Sequence, residues 1–397
     1  MRRFLVLLGT LVTVAGCADP VGPGSPPPRL NVQLSPTEVF ARFVAMGTSN
    51  SQGVQSAGIS AAAQQAAWPA QVARRAGVPM SLPLVQDPGC GPPLLPPLAL
   101  DLVLVGAFGD DLVGAVMNTC APLRDGITPP TNSVAIAGAK AFDALNTTPK
   151  IETANNPRTG MLYSRVLQQE QTQVTAMLAQ DPTFVSVELA ANEVLPASTG
   201  RVSAMTPFAD WQRDYDQILA AVTSTGARAV LVGLPNNAAG FPSIRRAREF
   251  FYEWPYLLTL GIRMSFNCYL SSNYVFIPGF VLTLISRAPT TASCADVPGA
   301  ADYVLTSGDI ATINARMAQM NAYIQSKANE NGYAYFSLDA LYGLPKPSFS
   351  LPDVLFSNNP FGPNISLDGV HPSAQGQTIL ANAAVQAINA KYGLAIP

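Results

Sequence analysis

Five short runs of almost uninterrupted apolar residues, each separated from the next by turn-forming and helical stretches, constrain this chain more than any other feature. They are Ala41–Met46, Ser133–Ala137, Phe184–Leu189, Ala229–Leu234 and Tyr333–Ser337. Runs of this length, apolar on both faces, suit strands covered on both sides. Alternating with helices, they predict an α/β domain built on a parallel sheet. Between them, Gly160–Leu178 places Tyr163, Val166, Leu167, Val174, Met177 and Leu178 at helical spacing, with Glu170 interrupting the stripe. Trp211–Val222 and Ile310–Ala328 read as further helices, the latter starting beside Ser307 and Asp309 as caps. A last helix follows Pro372, with Leu380, Ala384, Ile388 and Tyr392 on one stripe and Gly393 as its stop.

Two stretches exceed a minimal α/β repeat. Residues 77–130 are rich in proline and leucine, and residues 236–300 hold aromatic residues and the run Tyr274–Ile285, broken by Pro278-Gly279. That break makes the run a poor membrane span, so both stretches read as insertions bordering the sheet and lining a pocket. Hydrophobic residues make up 48% of the 397, charged residues 12%, and the net charge is −2, a balance that argues against nucleic-acid binding.

The N-terminus has the build of an export signal. Arg2 and Arg3 precede the apolar stretch Phe4–Val14, which ends in Val14-Ala15-Gly16-Cys17. This ending resembles the bacterial lipoprotein lipobox, and the resemblance implies cleavage before Cys17 and lipidation of that cysteine. The expected organisation is a signal peptide over 1–16, a lipidated Cys17 with a proline-rich tether over 17–33, and one elaborated domain over 34–397. Aspartate stands at 19 rather than directly after the cysteine, so the expected location is the cell envelope, at the outer membrane. The four remaining cysteines contain no CxxC pair, and with one histidine in the chain a metal site is not expected. In an exported protein they read as two disulfides; of three possible pairings, proximity in sequence favours Cys90–Cys120 with Cys268–Cys294.

The single histidine, His371, stands in Asp368-Gly369-Val370-His371-Pro372. A carboxylate one tight turn away is placed to hold an imidazole and fix its tautomer. The first apolar run leads into Gly47-Thr48-Ser49-Asn50-Ser51, which sets a serine at the carboxyl end of a buried strand and the start of a helix, a suitable seat for a nucleophile. These blocks, with Ala137-Gly138-Ala139 and Leu189-Ala190-Ala191-Asn192-Glu193 between them, resemble in order and position the four blocks of the SGNH (GDSL-type) hydrolase family over nearly the whole mature chain.

The resemblance implies a flavodoxin-like three-layer α/β/α fold and cofactor-free hydrolysis of carboxylic esters, esterase- or lipase-like. In that pattern Ser49 is the nucleophile, His371 the base, Asp368 its partner, and Ser49, Gly138 and Asn192 the oxyanion-hole donors. Thr48, Ala190 and Glu193 depart from the family pattern, which has aspartate, glycine and aspartate there. Two alternatives stand beside this reading. One is a carbohydrate O-deacetylase of the same fold, with Trp211, Trp254 and Tyr256 available to stack on sugars. The other is a non-catalytic envelope lipoprotein using the scaffold for binding. The expected partners are a small-molecule or lipid ester and a membrane; the sequence leaves the oligomeric state open.

Overall fold

Strands buried on both faces must lie side by side, and four of the five apolar runs do so. A computed structural model describes residues 35–98, 119–286 and 291–397. Strands β1 (Phe43–Gly47), β2 (Phe184–Glu188), β3 (Arg228–Gly233) and β4 (Ala334–Ser337) are adjacent in that order and parallel throughout. The expected export signal, Cys17 and the tether to residue 33 lie outside the described residues.

The run Ser133–Ala137 corrects the prediction of a regular strand. It follows β1 as an irregular parallel edge: Ala45 N–H donates to Asn132 O, Val134 N–H to Ala45 O and Ile136 N–H to Gly47 O, at 2.8–3.0 Å. Pro129-Pro130 just before it supply no N–H, and Gly138 just after it turns away at φ +81°, so pairing stops within a few residues. With this edge included, the spatial order by sequence is second, first, third, fourth, fifth. That is the flavodoxin-like order, with its switch point between β1 and β2.

The helices that cover the sheet or carry the site are α1 (Ser49–Gln52), α2 (Trp68–Arg75), α3 (Ala191–Val194), α4 (Phe208–Ser224), α5 (Ser307–Asn331) and α6 (Ala374–Tyr392). Successive strand residues point to opposite faces. Phe184, Val230 and Val232 pack with Trp68 and Val72 of α2 and Leu380, Ala384 and Ile388 of α6. On the other face, Val185, Val187, Ala229 and Leu231 pack with Trp211 and Tyr215 of α4 and Met317, Met320 and Ile324 of α5. The result is three layers.

Local chemistry sets the helix ends. Thr306, not Ser307, caps α5: its hydroxyl accepts from Asp309 N–H while the Asp309 carboxylate accepts from Thr306 N–H, and Gly332 at φ +70° ends the helix. The predicted helix over 160–178 is two helices, Pro157–Val166 and Gln173–Leu178. Thr172 starts the second with a cap on Thr175 N–H, and Glu170, in the break, turns outward to Lys150. Pro278 does not break its run in the expected way. It sits in the first turn of the helix Ile277–Ser286, where a missing N–H costs nothing.

Both cysteine pairings inferred from proximity are present, Cys90–Cys120 and Cys268–Cys294. The second staples the 236–300 insertion, whose strands Ile244–Arg246 and Tyr274–Phe276 form a three-stranded antiparallel ribbon with Val304–Leu305 beyond it. Among the described residues no helix is long and apolar enough to cross a membrane.

Candidate active site

The turn from β1 into α1 is shaped by one close approach. A Cβ at Gly47 would lie 2.8 Å from Ser51 Oγ and 3.1 Å from Glu188 Cβ, so only glycine lets the turn sit this near β2. Thr48 remains extended and α1 begins at Ser49. The Ser49 N–H is therefore a first-turn amide, and it has no intramolecular acceptor among the described residues.

Beneath this turn lies a carboxylate that the sequence reading did not single out. Glu188, the last residue of β2, is 2% exposed. It accepts from Thr48 N–H (3.1 Å), Thr48 Oγ1 (2.8 Å), Ser51 N–H (3.3 Å) and Ser51 Oγ (3.1 Å), with Asn50 Nδ2 at 3.5 Å. Burial raises its pKa, and the hydrogen bonds from Thr48 and Ser51 partly offset that. A charged residue ending a strand that is apolar but for Ser186 was the available signal. Thr48, which replaces the family's aspartate, thus spends its hydroxyl on Glu188.

His371 and Asp368 come together as the Asp-x-x-His spacing predicts. His371 Nδ1 lies 2.8 Å from Asp368 Oδ2, with the side chains 17% and 10% exposed. Asp368 Oδ1 also accepts from the backbone N–H groups of Val370 (2.9 Å) and His371 (2.8 Å), which fold the segment into a tight turn. Gly369 adopts φ +73°, and a Cβ there would meet Ser243 Cβ at 2.7 Å. A second segment supports this turn. Ser56 and Ala57 both adopt left-handed backbone (φ 54° and 61°), which points their amides at Ser366 Oγ (2.9 Å) and Asp368 Oδ2 (2.5 Å).

These contacts set the electrostatics. Burial pushes the His371 pKa down, but the Asp368 charge and hydrogen bond, together with the Glu188 charge, outweigh it and hold the imidazole above its ordinary 6.5. Burial likewise opposes the Asp368 anion, yet the charge and hydrogen bonds of His371 and the Val370 amide keep its pKa below the usual carboxylate range.

Gly138 follows the edge segment at φ +81°, and its N–H has no intramolecular acceptor among the described residues. Asn192, on α3 at the end of β2, donates one Nδ2 hydrogen to Ala139 O at 2.9 Å and keeps the other. Ala190 stands at φ −151°, outside the left-handed region that favours glycine. Glu193 is buried and accepts from Ala141 N–H at 2.8 Å, tying α3 to the segment after Gly138. Burial, against hydrogen bonds and Lys140, pushes its pKa up to about 7.

Ser49, Gly138, Asn192 and His371 line one common cavity, and Ser49, Asn192 and His371 also line a second, more apolar one. No hydrogen bond joins Ser49 Oγ to His371 among the described residues. Trp211, Trp254 and Tyr256 line neither cavity; Trp211 is interior, stacked on Tyr215. Among the described residues no cluster of three or more His, Cys, Asp or Glu is placed to hold a metal ion.

A family model described as GDSL-like lipase/acylhydrolase matches residues 43–384. A search of curated proteins returns no significant match. Among solved structures, a mutant of Axe2, an acetyl-xylooligosaccharide esterase from Geobacillus stearothermophilus, is 11% identical, with 87% of this chain and 93% of that one covered at a TM-score of 0.35. TesA is 12% identical over 88% and 98% of the two chains, with a TM-score of 0.32. An extracellular lipase from Streptomyces rimosus is 15% identical over 87% and 98%, with a TM-score of 0.36.

Proposed function

The chain belongs to the GDSL-like lipase/acylhydrolase family, and on that premise we propose that it hydrolyses carboxylic esters through an acyl-enzyme on Ser49. The observation that carries this reading is the His371–Asp368 pair, 2.8 Å apart, whose imidazole lines a cavity together with Ser49, Gly138 and Asn192. Ester hydrolysis as such follows from the family; the assignment to these residues is ours.

His371 Nε2 takes the Ser49 hydroxyl proton as Oγ attacks the acyl carbon. The carbonyl oxygen becomes an oxyanion, received by the Ser49 and Gly138 N–H groups and the free Asn192 Nδ2 hydrogen. His371 then protonates the departing alcohol. In the second half-reaction His371 takes a proton from water, the hydroxide equivalent attacks the acyl carbon, and the proton returns to Ser49 as the carboxylic acid leaves. Asp368 holds the tautomer that leaves Nε2 free and stabilises the imidazolium.

The pH profile tests these roles. The base works only when neutral, and its pKa is held above 6.5. Activity is therefore full at alkaline pH and lost as pH falls through a midpoint above 6.5 in the kcat/KM profile for p-nitrophenyl acetate. Asp368→Asn removes the charge that raises His371, so the midpoint moves down while the rate falls by about 10³–10⁴-fold. A midpoint unchanged by Asp368→Asn contradicts the pairing.

The proposed membrane anchor rests on the lipobox resemblance at Cys17. Expressed in a bacterium with its signal, the wild-type chain is expected in the membrane fraction and labelled by a fatty-acid analogue. Cys17→Ser is expected in neither state; membrane retention of unlabelled Cys17→Ser sinks the anchor.

A further inference from the structure

The more apolar of the two cavities at Ser49 is walled on one side by the antiparallel ribbon and on another by α5. The free space between its walls, open solvent at the mouth included, is about 740 Å³. Ile244, Phe276 and Leu305 each come from a different strand of the antiparallel ribbon, and Ile244 pairs directly with Phe276. Ile313 and Met317 stand one turn apart on α5, and Leu234 follows β3. Ile244, Leu305, Ile313, Met317 and Leu234 are each no more than 5% exposed, so this wall belongs to the interior.

The wall is also held in place. Cys268–Cys294 staples the insertion, Ile277 N–H donates to Ser243 O at 2.9 Å, and Phe276 N–H donates to Tyr303 O at 2.9 Å. Lys346 Nζ donates to Ile244 O at 2.9 Å and Ala239 O at 2.8 Å, which ties the ribbon to the segment beyond β4. Such a wall presents hydrocarbon to whatever enters and offers little to a sugar hydroxyl, which needs hydrogen-bond partners when buried.

We propose that the ribbon and α5 form an acyl-chain pocket, so that the substrates are fatty-acyl esters with a chain well beyond acetyl. The proposal rests on the ester-hydrolase reading for its chemistry and goes beyond it in naming the acid component. An acetyl group on Ser49 is too short to cover the apolar residues that the ribbon and α5 contribute. Each further methylene leaves water for hydrocarbon, a gain of ~0.8 kcal/mol that converts to about fourfold in kcat/KM while the chain still fits.

The test is a p-nitrophenyl ester series from acetyl to palmitoyl, with calorimetric titration of octanoate into Ser49→Ala as a readout independent of turnover. The expected wild-type profile climbs about fourfold per methylene over several carbons and then levels. Ile313→Trp, which fills the cavity, lowers the octanoyl-to-acetyl ratio of kcat/KM by at least about 30-fold, and in the Ser49→Ala background it weakens octanoate binding. Met317→Ala, which enlarges it, moves the optimum to longer chains, and carries the same test if the tryptophan variant does not fold. A Ser49-dependent activity that is flat with chain length or greatest on acetyl, with no octanoate binding, overturns the pocket and leaves the hydrolase reading intact. Octanoate binding by Ser49→Ala without any Ser49-dependent turnover upholds the pocket and overturns the hydrolase reading instead.

Discussion

His371→Ala is expected to lower kcat for ester hydrolysis by about 10⁴–10⁶-fold, with a much smaller change in KM. The chain contains one histidine, so no second imidazole can take over the proton transfer. The side chain is mostly buried against Asp368 and carries none of the sheet packing, so the variant should fold and melt close to the wild type. Ser49→Ala is expected to cost about as much. The double variant should be no worse than either single one, because base and nucleophile act as a unit. Steady-state kinetics on the three purified variants, with melting curves to establish folding, measure this. Activity of His371→Ala within tenfold of wild type contradicts its role as base.

Glu188→Ala is expected to be the most damaging substitution outside the reacting groups. Two backbone amides and two hydroxyls of the Thr48–Ser51 turn donate to this buried carboxylate. The hydrogen bonds from Thr48 and Ser51 favour the anion, while burial opposes it and leaves the pKa raised. Alanine leaves those donors without a partner in a dry site, at about 1–3 kcal/mol each for those that find no water. We expect a loss of at least about 3 kcal/mol in denaturant unfolding, and a fall in kcat as the Ser49 N–H and Oγ lose their fixed positions. Glu188→Gln separates position from charge. It keeps the shape, and because the Glu188 charge helps to raise His371, its removal moves the acid limb of the kcat/KM profile to lower pH. An unshifted limb would leave Glu188 with a purely structural role.

Much of this architecture is legible in the sequence because the strands carry strong signals. Phe43–Met46, Phe184–Val187 and Ala229–Val232 are apolar or nearly so on both faces and can only be central strands. The edge at Ser133–Ala137 has the same composition, but its pairing is limited by prolines before it and a glycine turn after it, which composition does not register. The helix over 160–178 divides because Thr172 caps a new start, a local hydrogen bond that outweighs a continuous stripe. Pro278 was a breaker by composition and a helix starter by position. The ribbon that walls the apolar cavity was invisible as such: its three strands span two or three residues each, and their pairing depends on contacts far apart in sequence.

The site divides the same way. Asp368 and His371 sit one turn apart, so their meeting is a local property, and the structure brings them to 2.8 Å. Ser49, Gly138 and Asn192 come from three separate crossovers, yet the sheet order sets them around one cavity because β1, the edge segment and β2 are neighbours. Glu188 escaped notice because it lies inside a run read only for its apolar character. The amides of Ser56 and Ala57 escaped because a left-handed backbone at serine and alanine has no compositional signature.

Fluorophosphonate labelling tests the central claim most directly, since the reagent phosphonylates a serine only where a base activates it and donors receive the oxyanion. The account predicts one adduct per chain at pH 8, mapped by peptide mass spectrometry to Ser49, and none in folded Ser49→Ala or His371→Ala. An adduct at another serine, or no adduct on correctly folded wild-type protein, would contradict it.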